Sequence, residues 1–181
     1  MAACETTELL LRVMADIRPA GVVAGAYLFA ETQPNQESVF AAGRELLAQG
    51  RVPRVLIAGC TPKSGYVGAA ACRRAMIEFG VPAEAIAEVP MEPTEILHTR
   101  IESQKVVRWA RTHGCERLLV VAAPFHQERA FLTMVTVALE DYPSLKLYSH
   151  PGVPQPWDEV VTHSQPIPPI TCRPQAQKWA G

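Results

Sequence analysis

A histidine and an arginine stand three residues apart directly after an apolar run, in VVAAPFHQERA (residues 120–130). If a helix begins there, this spacing puts His126 and Arg129 on one helix face, where both side chains can meet the same ligand. Arginine binds phosphate or carboxylate through a fork of N–H donors, and histidine side chains exchange protons near neutral pH. The pair predicts an anion site in which Arg129 binds the ligand and His126 acts as general acid or base.

The elements that must position this pair can be read from hydrophobic patterning along residues 21–150. The predicted strands are 21–29, 53–59, 85–89, 117–123 and 145–150. The predicted helices are 37–50, 65–80, 95–113 and 126–141, with Thr94 as the N-cap of the third. Alternation of strands and helices with short connections is typical of repeated βαβ units. It predicts a three-layer α/β/α Rossmann-like fold with a mainly parallel central sheet of about five strands.

Polar residues also follow the other predicted strands. The carboxyl ends of parallel strands share one edge of the sheet, where ligands bind and where helix N-termini favour anions. We therefore extend the predicted site along that edge. The further ligand-binding candidates from this argument are Cys60, Lys63, Ser64 and Thr94. The further catalytic candidates are Glu88 and Glu95, either of which would orient the imidazole of His126 or act as a second base.

Structural roles are open for the same residues. Arg129 could cap a backbone carbonyl, His126 could be a buried hydrogen-bonding residue, and Glu88 could form an ion pair with Arg129. The helix face that carries His98, Glu102 and Lys105 is predicted to be a solvated surface.

Composition narrows the class of protein. The 181 residues are 48% hydrophobic and 19% charged, which is typical of a globular domain, here residues 1–150. A net charge of -1 predicts no nucleic-acid partner. The beginning of the sequence lacks the pattern of a signal peptide, and no run approaches the ~20 apolar residues of a membrane span. We expect a cytoplasmic protein without a membrane anchor.

The cysteines and prolines add two further expectations. The five cysteines are scattered, with no C-x-x-C pair, so neither a disulfide framework nor a metal site is predicted. Cys60 is interpreted as a small apolar residue at a strand end rather than as a nucleophile. Seven of the 16 prolines lie in residues 151–181, which are predicted to form a tail packed on the domain or partly disordered.

The segment LLVVAAPFHQERA resembles the strongest signature of the YdcF/SanA/ElyC-like proteins, the bacterial family of domains of unknown function numbered 218. In that family a strand runs into a threonine- or serine-rich turn and then a His-x-x-Arg pair followed by alanine. The segments GVVAGA and MIEFGVPAEAIAEVPMEPTE resemble further blocks of the family in the same order, so the resemblance covers about residues 20–150. It implies that His126, Arg129, Glu88 and Thr94 line a polar pocket. It also places Gly25 in the segment of the family's first strand and glycine-rich turn, and Gly59 at the family's Ser-Gly-Gly turn, which makes both glycines ligand-binding candidates. It also implies a link to envelope biogenesis, usually behind membrane segments.

Together these observations predict a hydrolase or group transferase acting on a small anionic metabolite, phosphorylated or nucleotide-like. The sequence has no G-x-G-x-x-G fingerprint, which argues against a dinucleotide-dependent oxidoreductase. One alternative is a non-catalytic accessory protein that binds a nucleotide or an S-adenosylmethionine-type molecule, and another is a factor in envelope biogenesis. No cofactor is firmly predicted, although S-adenosylmethionine or a nucleotide is a candidate, and a homodimer is left open.

Overall fold

The computed structural model describes residue 19, residues 23–156, and the backbone of residues 160–161 and 170–171. The strands of the central sheet are β1 (Ala26–Leu28), β2 (Val55–Gly59), β3 (Ile86–Pro90), β4 (Arg117–Val121) and β5 (Lys146–Ser149). The helices are α1 (Gln36–Ala48), α2 (Ala69–Glu78), α3 (Thr99–Thr112) and α4 (Pro124–Asp141). Two short strands, β6 (Val160–Val161) and β7 (Ile170–Thr171), pair antiparallel with each other.

The central sheet has the strand order β3–β2–β1–β4–β5, and every neighbouring pair is parallel. This arrangement confirms the predicted α/β fold with a five-stranded parallel sheet. The chain builds outward from β1 to β3 and then returns through α3 to β4, on the other side of β1. The winding direction therefore reverses between β1 and β4, which is the place where open α/β sheets form a ligand crevice.

The two strands that flank this reversal are deeply buried. Residues Ala26–Leu28 of β1 are at most 2% exposed, and Leu118–Val121 of β4 are fully buried. Central strands of parallel sheets are covered by helices on both faces, so they consist of aliphatic residues without alternation. Tyr27 is the exception in β1, because its buried hydroxyl needs a hydrogen-bond partner.

The third helix begins later than the sequence predicts. It starts at Thr99 rather than at 95, and its N-cap is His98, whose Nδ1 accepts a hydrogen bond from the Ile101 backbone N–H at 3.4 Å. The predicted cap, Thr94, instead donates its hydroxyl to the carbonyl of Ile96 at 2.6 Å. Because that local bond uses the capping group, the chain between β3 and α3 forms a loop.

The second helix also begins late, at Ala69 rather than at 65. The backbones of Lys63 and Tyr66 exchange two hydrogen bonds, at 3.0 and 3.1 Å, and close a tight turn. Gly68 then has a φ of 87°, a conformation that favours glycine, before the helix starts.

The segment after β5 is hydrogen-bonded to the domain. The Gly152 backbone N–H donates to the Ala122 carbonyl at 2.8 Å, and the Val153 N–H donates to the Ser38 carbonyl at 3.0 Å. The Ser38 hydroxyl donates in turn to the Val153 carbonyl at 2.7 Å. This part of the predicted tail therefore lies against the end of β4 and against α1. The rest of the tail, apart from the backbone of β6 and β7, lies outside the described residues. None of the helices in the described part of the chain is long and apolar enough to cross a membrane.

Candidate functional site at the carboxyl ends of β1 and β4

His126 lies in the first turn of α4, immediately after the end of β4, and is only 7% exposed. Its Nδ1 is 2.8 Å from Oε1 of Glu31, a residue that follows β1 and is itself 5% exposed. Because β1 and β4 are neighbours in the sheet, residues 95 positions apart in the chain form a buried contact. The contact lies at the reversal of the sheet, where a ligand crevice is expected.

The hydrogen bonds of Glu31 define which ring nitrogen carries the hydrogen. The same Oε1 also accepts the Ala123 backbone N–H at 3.2 Å, so this oxygen acts as an acceptor. An ionised carboxylate only accepts, which places the hydrogen of the neutral imidazole on Nδ1 and leaves Nε2 as an acceptor. The nearest partner of Nε2 is the hydroxyl of Thr99, at 3.4 Å. Phe29 packs against the ring edge to face, with 5.6 Å between ring centroids.

A second buried carboxyl, that of Glu102, lies one turn further along α3 from Thr99. Its Oε1 accepts the Tyr27 hydroxyl at 2.6 Å and the Ala30 backbone N–H at 2.7 Å. Burial raises the pKa of Glu102 to about 7, although these hydrogen bonds and the nearby His126 act in the opposite direction. Burial, followed by the charge of Glu102, also raises the pKa of Tyr27 well above its ordinary value.

The burial of Glu102 corrects the prediction of a solvated helix face. Glu102 is 3% exposed, and Val106 and Ala110, four and eight residues later, are fully buried. This apolar spacing is a signal in the sequence that could have placed Glu102 on the inner face of α3.

Gln127, which the sequence analysis did not single out, fixes the turn between β4 and α4. Its side-chain Oε1 accepts the Ala122 N–H at 2.6 Å, and its Nε2 donates to the Val120 carbonyl at 2.9 Å and to the Ser149 hydroxyl at 3.0 Å. These bonds satisfy the buried backbone at the end of β4. They also hold the residue adjacent to His126, and so limit how the imidazole can move.

A groove with a volume of about 410 Å³ opens beside this buried cluster, between α3 and α4. Its lining consists of His98, Thr99, Arg100, Arg129, Leu132, Thr133 and Thr136. Arg129 is exposed there, and Arg100 forms an ion pair with Glu140 at 2.9 Å. The predicted pair is therefore divided, with His126 beneath the surface and Arg129 in the groove. Thr99 connects the two, because it lines the groove and bonds to the ring of His126.

The polar residues that follow β2 are used within the protein. Lys63 Nζ lies 2.8 Å from Glu92 Oε1 and donates to the Thr94 carbonyl at 2.6 Å. The Ser64 hydroxyl accepts the Leu97 backbone N–H at 3.0 Å. The hydrogen bond from Lys63 is the main cause that lowers the pKa of Glu92 to about 2. These predicted ligand-binding groups join the loop after β2 to the loop after β3.

The glycines and the cysteine of the prediction have packing roles. A methyl group at Gly59 would lie 2.9 Å from the Val89 carbonyl oxygen, so the absence of a side chain allows β3 to approach β2 closely. Gly25 precedes β1 and therefore lies at the amino end of the sheet, opposite the site, which corrects its assignment as a ligand-binding residue. Cys60 is 6% exposed, and burial raises the pKa of its thiol, which fits the interpretation as an apolar residue.

Neither predicted catalytic glutamate contacts the imidazole. Glu88 is exposed on the edge strand β3, which β2 and β1 separate from β4. Glu95 is exposed in the loop before α3. The carboxylate that bonds His126 is Glu31, and the strand order is the reason, because β1 lies beside β4 and β3 does not.

Within the described residues, no group of three or more histidine, cysteine, aspartate or glutamate side chains is arranged to hold a metal ion. No family model matches the chain, and no curated protein or solved structure matches it either. The resemblance to the YdcF/SanA/ElyC-like proteins therefore stays a prediction from the sequence.

Proposed function

We propose that the protein is a hydrolase or group transferase that acts on a small anionic metabolite at the carboxyl ends of β1 and β4. The observation that carries this proposal is the buried contact between Glu31 and Nδ1 of His126. The other ring nitrogen of His126, Nε2, faces Thr99 at the edge of a groove. A general base needs a defined tautomer and a path to the reacting group, and this contact supports both requirements.

Burial supports a role for this pair beyond stability. Removing a carboxylate from water is costly unless it is hydrogen-bonded, and an apolar pair of similar volume would stabilise the fold at least as well. A carboxylate that accepts Nδ1–H orients the ring and favours the imidazolium when Nε2 takes a proton. His126 can thus accept a proton from a reacting group and return it to a leaving group.

The groove supports an anionic ligand of small size. Arg129 is exposed on one wall, and the threonine side chains at positions 99, 133 and 136 supply hydroxyl groups. Guanidinium groups bind phosphate and carboxylate through paired N–H donors. The volume of about 410 Å³ lies within the range of small-molecule sites, roughly 300–1,000 Å³. Phosphorylated metabolites, nucleotides and S-adenosylmethionine are the ligands to test first.

We also propose that the chain is related to the YdcF/SanA/ElyC-like proteins. What supports this relation is the strand–turn–helix unit that carries His126 and Arg129, with the histidine inside and the arginine facing the groove.

The ligand is tested by thermal-shift measurements on the wild type, on Arg129→Ala and on Arg74→Ala. The matched control Arg74 is an exposed arginine on α2 that does not line the groove. A ligand at 100 times its Kd should raise the free energy of unfolding by about 2.7 kcal/mol in the wild type and in the control. The same shift in all three proteins would place the ligand elsewhere, and no shift with any anion would contradict an anion site.

Turnover is then tested with each ligand found. Wild-type protein should convert it to product, and His126→Ala should lose turnover while its affinity for the ligand stays within about tenfold. If the wild type binds the ligand and forms no product, the protein is a ligand-binding protein without catalysis.

A further inference from the structure

Both ring nitrogens of His126 have partners inside the protein. Nδ1 is held by Glu31, Nε2 faces the Thr99 hydroxyl, and the ring is 7% exposed and does not line the groove. A substrate in the groove therefore meets Thr99 before it meets the imidazole. Thr99 is partly exposed, and of the residues that line the groove it is the one that hydrogen-bonds His126.

We propose that Thr99 is the nucleophile of this site and that its hydroxyl takes the acyl group of a carboxylic ester that also carries an anion. This inference rests on the proposed function, since it requires His126 to act as the general base. It identifies the group that contacts the substrate and the class of bond that is broken.

The arrangement carboxylate–imidazole–hydroxyl supports this assignment. Glu31 Oε1 is 2.8 Å from Nδ1, and Nε2 is 3.4 Å from Thr99 Oγ1, in the order that activates a hydroxyl nucleophile. In the absence of substrate such bonds are commonly longer than in the reacting complex. The three side chains come from the end of β1, from α4 and from α3, so the fold alone assembles them.

Two further contacts hold Thr99 in place. The Ser103 hydroxyl donates to the Thr99 carbonyl at 2.7 Å, one turn along α3. Glu102 ties the same turn of α3 to β1 through Tyr27 and Ala30. Glu31 comes shortly after β1 in the chain. The bonds of Glu102 therefore help to set the distance between α3, which carries Thr99, and the end of β1, which positions Glu31.

The reaction is balanced without an external oxidant or reductant. As the Thr99 oxygen forms a bond to the ester carbonyl carbon, its proton passes to Nε2 of His126. The tetrahedral intermediate breaks its bond to the leaving oxygen, which takes that proton and departs as an alcohol. Water then attacks the acyl group on Thr99, loses its proton to Nε2, and releases the carboxylic acid as the proton returns to the threonine oxygen. Thr99 begins α3, whose N-terminal dipole favours the negative charge of the intermediate.

The groove explains why the acyl group should carry an anion. Arg129 contributes a guanidinium group and Leu132 contributes an apolar surface, both within the cavity that Thr99 lines, whereas the guanidinium of Arg100 is paired with Glu140. A short aliphatic chain that ends in a carboxylate would place its charge on Arg129 while its ester lies at Thr99.

The first experiment measures hydrolysis of the mono-4-nitrophenyl ester of adipic acid, with the neutral 4-nitrophenyl butyrate as comparison. Thr99→Val keeps the shape of the side chain without the hydroxyl, Thr99→Ser restores the hydroxyl, and Thr112→Val is a control at the other end of α3 whose hydroxyl bonds to Arg108. We expect Thr99→Val to lower kcat/KM for the anionic ester at least about 10³-fold and Thr99→Ser to stay within about tenfold of wild type. A role for Thr99 in packing alone predicts that Thr99→Val, which keeps the shape of the side chain, retains the activity.

The second experiment detects the acyl-enzyme by intact mass spectrometry after rapid quenching, followed by peptide mapping. An adduct on Thr99 that is absent from Thr99→Val, and that accumulates in a burst of 4-nitrophenol, is the expected result. If turnover needs His126 but Thr99→Val retains it and no adduct forms, His126 activates water directly. That outcome would overturn the role of Thr99 and leave the proposed function standing. Wild-type protein that neither hydrolyses the anionic ester nor forms an adduct would also overturn the inference, while the ligand screen decides the proposed function separately.

Discussion

The carboxyl edge of the sheet has two halves that carry similar polar residues and use them differently. At the ends of β1 and β4, Glu31 bonds to the ring of His126, and the ring's other nitrogen faces Thr99 beside the groove. At the ends of β2 and β3, Lys63 and Ser64 bond to the neighbouring loop. The strand order explains the difference, because the winding reverses only between β1 and β4, where connections diverge to leave a crevice.

Exposure distinguishes the two halves as well. The Glu31 and His126 side chains are 5% and 8% exposed, whereas in the other half Lys63 is 10% exposed and its partner Glu92 is 48% exposed. Water screens an ion pair that has an exposed partner, so such a pair contributes little to stability. A buried ion pair loses its hydration and needs hydrogen bonds from the surrounding protein to offset that cost. The proposed function assigns acid–base chemistry to the β1–β4 half, and the following predictions test that assignment.

Of the four substitutions that compare the halves, Glu31→Gln should have the largest effect. The amide keeps the size of the side chain but no longer favours the imidazolium, so kcat/KM for any substrate found should fall about 10²-fold or more. Its pH–rate profile should change in shape as well as in height. Glu92→Gln, the matched variant in the other half of the edge, should leave the rate within about twofold of wild type. Equal losses in the two variants would remove the distinction between the halves.

Glu102→Gln should change the pH dependence of stability. The pKa of Glu102 is about 7 in the fold and 4.5 as an ordinary value, so the folded protein binds this proton more tightly than the unfolded chain. The resulting stabilisation, about 3 kcal/mol, is complete below pH ~4.5 and is lost as the pH rises through ~7. Urea denaturation from pH 4 to 8 should therefore show wild-type stability falling relative to Glu102→Gln over that range.

A control for this titration is Glu128→Gln, which replaces an exposed carboxylate on α4. Its stability should follow the wild type at every pH. If Glu102→Gln also runs parallel to the wild type, the Glu102 carboxyl titrates as an exposed one does, and its burial against β1 would be contradicted.

Gly59→Ala should destabilise the protein, because the end of β2 packs closely against β3. The added methyl group would lie 2.9 Å from the Val89 carbonyl oxygen, within the backbone of β3. We expect the free energy of unfolding to fall by about 1–3 kcal/mol in urea denaturation, with ligand affinity of the folded protein unchanged. Unchanged stability with weakened ligand binding would instead restore Gly59 to the binding site that the sequence predicts.

Lys63→Met should have the smallest effect. The variant keeps the aliphatic stem and loses the bonds to Glu92 and to the Thr94 carbonyl, which connect two surface loops. We expect a slight decrease in Tm and no change in the affinity for any anion that binds the wild type. A loss of anion affinity comparable with that of Arg129→Ala would show that the β2–β3 half contributes to the ligand site.

The fold and one member of the site could be predicted because both depend on local sequence. Apolar runs separated by amphipathic segments are enough to indicate parallel strands and covering helices. The placement of His126 follows from its position just after the strongest of those runs. The predicted start of α3 was wrong because the Thr94 hydroxyl bonds to the Ile96 carbonyl within the loop instead of capping the helix. Residue types alone do not decide between these two bonds.

The partners of His126 could not be predicted because they depend on the order of strands in space. Glu31 is 95 residues away in the chain and becomes a neighbour only when β1 pairs with β4. Glu88 was chosen instead because it ends a strand, but that strand lies at the edge of the sheet. Gly25 was included because GVVAGA resembles the first strand and glycine-rich turn of the YdcF/SanA/ElyC-like proteins, whereas here the glycine comes before β1, which begins at Ala26.

The segment around Gly152 matters for anyone who shortens this chain. The Gly152 N–H donates to the carbonyl of Ala122. The N–H of Ala122 donates in turn to the side chain of Gln127, the residue next to His126. We call residues 151–153 the strap. A methyl group at Gly152 would lie 2.5 Å from the Ser38 hydroxyl oxygen, so the strap fits closely between α1 and β4. A truncated protein that stops at residue 150, where the composition suggests a boundary, would expose the backbone on which the imidazole is mounted. The strap is better treated as part of the scaffold of the site than as a dispensable appendage.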